Sequence, residues 1–88
     1  MNKTWKYMQM EYAREVEDSG FCSGDKVRIV RKKTSLKDGW SSFWSDLFMT
    51  PRIGKTGIVV SLEGCAGVRV EFEDGEVFNF PYQSLEKA

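Results

Sequence analysis

The run GVRVEFEDGEVFNFP, residues 67–81, constrains this chain more than any other stretch. Val68, Val70 and Phe72 alternate with Arg69, Glu71 and Glu73, a period of two that suits a half-buried strand with the apolar set facing inward. Asp74-Gly75 follows, a strong hairpin signal because both central residues of a type I′ turn need positive φ. The returning EVFNF puts Phe78 and Phe80 on one face and Val77 and Asn79 on the other, and Pro81 ends it. An isolated hairpin is marginal in water, so the rest of the chain must supply more sheet.

Two further strands are legible. KVRIVRK, residues 26–32, places Val27 and Ile29 on one face, and IGKTGIVVSL, residues 53–62, gives Ile58, Val60 and Leu62 a shared face. Gly64 and Gly67 bracket a turn around Cys65, and YQSLEKA at the end fits a short turn followed by an edge segment that buries Leu85. The first two strands are separated by KTSLKDGWSSFWSDLFMTPR, which is too long for a hairpin and too apolar for a linker, so it must pack against something.

Ahead of the strands, TWKYMQMEYAREVE, residues 4–17, spaces Trp5, Met8, Tyr12 and Val16 by three or four, one apolar stripe on a helix that Ser19-Gly20 can stop. Lys3 and Lys6 at its start and Glu15, Glu17 and Asp18 at its end oppose the helix dipole. Packing of the aromatic stripe must therefore hold it. The expected fold is mainly β: an N-terminal helical extension over residues 1–20, then a small five-stranded Src-homology-3-like barrel over residues 21–88. Closure hides most strand edges, which protects so short an all-β chain from aggregation.

At 88 residues the chain supports one core and one domain. It contains no His, which removes the commonest general base, and two cysteines, Cys22 and Cys65, without zinc spacing, read as reduced half-buried thiols with a mutual disulfide the alternative. No nucleophile, base and orienter can be assembled from what remains, so neither an enzyme nor a cofactor is expected. Residues 1–20 interleave charges with apolar residues and lack the apolar run of a signal peptide or membrane span, so the expected location is cytoplasmic. Net charge is zero but uneven: −1 over residues 1–20, +5 over 21–56 and −4 over 57–88. Gly54-Lys55-Thr56 is not a phosphate loop, because Met49 stands where the first glycine is needed and the run continues into a strand rather than a helix.

Gly39-Trp40, Trp44, Met49, Gly54-Lys55-Thr56-Gly57-Ile58-Val59, Gly67-Val68-Arg69-Val70-Glu71-Phe72 and Phe78-Asn79-Phe80-Pro81-Tyr82-Gln83-Ser84-Leu85 fall in a familiar order. Over roughly residues 24–86 it resembles the Src-homology-3-like repeat of Mind bomb ubiquitin ligases and is similar to small bacteriophage proteins of the same layout. The first resemblance implies a peptide-binding module without chemistry; the second implies an accessory role in a host cytoplasm. This chain differs from Mind bomb proteins in having one copy of the repeat, no RING or ankyrin part and an added helix.

Three surfaces are candidates. Trp40, Phe43, Trp44 and Phe48, with Trp40, Trp44 and Phe48 spaced by four as on one helical turn, either plug an end of the barrel or leave one or two rings exposed beside Tyr82 as a peptide groove; both hold if Trp40 lies in the core and Trp44 on the rim. Arg28, Arg31, Lys32, Lys33 and Lys55, with Lys37 and Arg52 nearby, form a basic side that suits a KOW-type nucleic-acid-binding accessory domain. Glu71, Glu73, Asp74 and Glu76 read as a solvated acidic face. The partner expected first is a protein or peptide, with nucleic acid the alternative and the chain a monomer or weak homodimer.

Overall fold

The computed structural model describes residues 4–33 and 38–88, so Lys3 and Lys37 lie outside the described residues. A helix α1 (Trp5–Asp18) precedes strands β1 (Lys26–Ile29), β2 (Thr56–Leu62), β3 (Val68–Glu71), β4 (Val77–Phe80) and β5 (Leu85–Lys87), with 3-10 turns at Thr50–Arg52, Gly64–Ala66 and Tyr82–Ser84. The strands form one antiparallel sheet in the order β4-β3-β2-β1-β5. Among the described residues β4 and β5 are its two edges, with no ladder joining them.

Thr4 caps α1 by accepting from the Tyr7 N–H at 3.2 Å, and Ser19 with Gly20 ends it. No acidic residue in the first turn and no basic residue in the last helps the dipole. Packing holds the helix instead: Tyr12 and Val16 are fully buried, Met8 is half-buried, and Trp5 at the start is exposed. The helix packs on its own chain, against the Gly64–Ala66 turn and, through Tyr12 and Val16, the common core.

The core joins these two helix residues to Val27 and Ile29 of β1, Val59 of β2, Val68 and Val70 of β3, Phe80 of β4 and Leu85 of β5, with Phe21, Trp40, Met49 and Phe72 from the connections. The inward set of residues 68–72 is the one the alternation gives. In β2 the register differs from the sequence expectation. Val59 pairs with Val70 but Ser61 with Arg69, a bulge at Val60 whose carbonyl accepts from Ser23 Oγ at 2.9 Å. One extra residue reverses the alternation, so Ile58 and Val60 face solvent while Leu62 turns toward the core.

The β3–β4 turn also differs. Only Gly75 has positive φ, at 86°, while the Gly75 N–H donates to the Phe72 carbonyl and the Phe72 N–H to the Glu76 carbonyl. This is a type I turn closed by a glycine bulge rather than a type I′ pair. Asp74 need not enter the left-handed region, because its carboxylate instead accepts from the Glu76 N–H at 3.1 Å.

Candidate functional site

The long connection between β1 and β2 builds two aromatic surfaces of opposite character. On the helix side, Trp40 is 5% exposed and its indole N–H donates to the Ala66 carbonyl at 2.8 Å. The preceding Gly39 lies so close to α1 that a Cβ there would stand 2.1 Å from the Met8 carbonyl oxygen. Tyr82, in the turn before β5, packs its ring against Tyr12 at 5.3 Å and donates from its hydroxyl to Glu15 at 2.5 Å.

A polar chain runs along this seam. Tyr12 Oη accepts from the Tyr82 N–H at 3.2 Å and donates to Gln83 Oε1 at 2.8 Å. Gln83 Nε2 donates to Asp38 at 3.0 Å, and Asp38 also receives Lys33 at 2.7 Å. Three separate segments are thereby tied to one buried phenol. Burial pushes the Tyr12 hydroxyl well above the ordinary phenol range. Burial, then the hydrogen bond to Glu15, raises Tyr82 to about 12, so both hydroxyls stay protonated donors at neutral pH.

On the far side the same connection is open. Trp44 is half-buried, edge-on to Phe80 at 5.7 Å, with its indole N–H on Thr50 Oγ1 at 2.9 Å. Phe48 stacks on Phe78 at 6.5 Å yet is 58% exposed, and Phe43 and Leu47 are each 75% exposed. A groove of 410 Å³ runs between this segment and β4, lined by Phe43, Phe48 and Met49 from the segment and by Arg69, Phe78 and Asn79 from β3 and β4.

The structure divides Trp40, Trp44, Phe48 and Tyr82 between the two roles, core plug and open groove. Trp40 belongs to the core and Tyr82 to the helix seam, Trp44 bridges core and surface, and Phe48 alone of the four lines the open groove. Their spacing by four does not come from a helix: residues 41–45 are irregular, and one turn follows, closed by the Met49 N–H on the Ser45 carbonyl at 2.7 Å. Phe78 and Arg69 escaped the sequence reading as groove residues.

The basic residues are divided too. Lys32 pairs with Asp46 at 2.6 Å, Lys33 with Asp38, and Arg31 with Glu86 at 3.7 Å while donating to the Gln83 carbonyl at 2.5 Å. Arg28 and Lys55 are exposed and line a 560 Å³ cleft with Thr56, but Glu73 and Asp74 line it as well. Arg52, 16% exposed at its side chain, lies over Phe72 at 4.6 Å and Phe78 at 5.4 Å and pairs with Asp74 at 2.9 Å. This contact clamps the first loop to the hairpin turn. The Arg52 hydrogen bond holds the Asp74 carboxyl below its ordinary range, and Lys32 with Thr50 does the same for Asp46.

Cys22 is exposed rather than half-buried, Cys65 is half-buried, and both are free thiols. Among the described residues no helix is long and apolar enough to cross a membrane. No protein-family profile, curated protein or solved structure gives a significant match to this chain.

Proposed function

We propose that this chain is a non-enzymatic interaction module that captures a peptide or protein surface on the open aromatic side of its first loop. The observation that carries the reading is the exposure of Phe43, Leu47 and Phe48 within six consecutive residues of chain. Grouped apolar side chains left in water mark interaction sites, and burying them recovers about 25 cal/mol per Å². The other rings of the same connection reach the core or find hydrogen-bond partners, so the fold has the means to bury aromatics and does not use it here.

The strand order β4-β3-β2-β1-β5, the long first loop and the 3-10 turn before β5 support reading the bent sheet as a Src-homology-3-like barrel. That reading favours the resemblance to Mind bomb-type repeats, in which binding proceeds without chemistry. The bacteriophage likeness extends the proposal to an accessory role in a host cytoplasm. A nucleic-acid interface of Arg28, Arg31, Lys32, Lys33 and Lys55 is disfavoured because carboxylates engage the middle three and counterion release needs several free cations acting together.

The test is capture from cell extract with and without nuclease, using the wild type and a Phe43→Ser/Phe48→Ser double variant. Protein partners that survive nuclease and are lost with the double variant support the reading. Partners that vanish with nuclease, or bind the double variant equally well, sink it.

A further inference from the structure

The two edges of the sheet are not equally protected. β5 carries Glu86 and Lys87, charges of the kind that discourage further pairing, whereas β4 is Val-Phe-Asn-Phe, with no charge and no proline inside it. The hairpin geometry fixes which backbone groups of β4 face outward. The Phe72 N–H bonds the Glu76 carbonyl, and the ladder then pairs Glu71 with Val77, Val70 with Phe78, Arg69 with Asn79 and Val68 with Phe80. Antiparallel pairs alternate between hydrogen-bonded and non-hydrogen-bonded. Phe78 and Phe80 therefore bond β3, and the N–H and C=O groups of Val77 and Asn79 point away from it. Among the described residues none of these four groups has a partner.

The groove of 410 Å³ lies along this edge. Its inner wall, Phe43, Phe48 and Phe78, is apolar, and its outer wall carries Arg69, the only charged lining residue, exposed and without an ion pair among the described residues. Successive side chains of an extended strand point to opposite faces. A strand laid against β4 would alternate between the apolar wall and Arg69.

We infer that β4 is a strand-addition site for an extended partner segment in which apolar and acidic residues alternate. The segment pairs with the outward groups of Val77 and Asn79, sets apolar side chains among Phe43, Phe48 and Phe78, and brings a carboxylate to Arg69. This mode rests on the interaction-module reading and specifies it. Main-chain pairing supplies affinity and the alternate side chains supply selectivity. A second copy of this chain fits less well, because pairing through its own β4 would bring a second 41–49 segment to the same line, wall against wall.

The experiment follows backbone amides by NMR while a synthetic peptide of about ten residues, a full strand length, alternating Leu with Glu, is added to the intact chain. A second peptide with Lys in place of Glu is the control. The expected result is that the Val77 and Asn79 amides shift and gain protection from exchange, that the Lys peptide binds at least about tenfold more weakly, and that Arg69→Glu reverses the preference. Val77→Pro, which removes an outward N–H, should abolish binding, and Arg69→Glu carries the test if the proline variant does not fold. The inference is overturned by equal binding of the two peptides, by shifts confined to α1 and Tyr82, or by no shift at millimolar peptide. Changes at β4 that grow with protein concentration in the absence of peptide would assign the edge to a second copy and overturn it as well. A captured protein partner whose binding ignores both Val77→Pro and Arg69→Glu would leave the module reading standing and remove the strand-addition mode alone.

Discussion

The helix side and the β4 side of this molecule are built from similar residues and end in opposite states. Both use aromatic rings from the first loop and the last strands. On the helix side each polar handle has a partner: Tyr12 with Gln83 and the Tyr82 N–H, Tyr82 with Glu15, Trp40 with Ala66. On the β4 side Phe43, Leu47 and Phe48 have no handle to satisfy and remain in water. Tyrosine and tryptophan can be buried at a seam between elements because their polar tips locate them there. Phenylalanine and leucine carry no such address, so their burial awaits whatever surface arrives.

The strongest break of this contrast is Tyr12→Ala. A fully buried ring removed from the seam should cost about 3–5 kcal/mol, read as a lower urea midpoint together with loss of α1 protection from hydrogen exchange. A loss of equal size in Phe48→Ala would erase the difference between the sides. Next is Gly39→Ala. Gly39 sits at φ 93° with the helix backbone where a Cβ would go, so roughly 1–3 kcal/mol should be lost from strain, and α1 exchange should rise before that of the sheet.

Smaller effects concern the charged clamps. The folded-state carboxyls of Asp74 and Asp46 lie below their ordinary values. Their contribution is therefore present above the unfolded value of about 3.9 and fades as pH falls through the lower folded value. Arg52→Ala should flatten that acid limb in pH-dependent thermal melts. At the alkaline end the sign is opposite. Tyr82 is raised from 10.0 to about 12, so its contribution is complete below pH 10 and is lost as pH rises through about 12. Tyr82→Phe should remove that component of helix undocking. The smallest stability effect belongs to Phe43→Ser, within about 0.5 kcal/mol of wild type as for most surface changes, together with the largest loss of partner capture.

Some of this was legible from residues and some was not. Alternation placed Val68, Val70 and Phe72 inward because the pleat has a period of two and nothing interrupts β3. The same logic failed at Leu62, where a single bulged residue at Val60, its carbonyl bonded to Ser23 from a distant part of the chain, reverses the faces. The aromatic spacing in residues 40–48 suggested a shared surface, yet Trp40 and Phe48 lie on different sides because the connection is irregular and its direction is set by what it packs on. The basic run of residues 31–33 was visible as charge, whereas its neutralisation by Asp38, Asp46 and Glu86 was not.

What the sequence determined by itself was local: the strand period, the Asp-Gly hairpin, the helix stripe with its stop, and the absence of histidine. Those follow from backbone geometry and side-chain chemistry within a few residues. Tertiary structure alone decided that α1 covers Tyr82, that Arg52 is spent on Phe72 and Asp74, and that β4 presents an unpaired edge beside exposed rings. Each of those depends on segments far apart in the chain meeting in space, and the energy of such a meeting is written in neither segment separately.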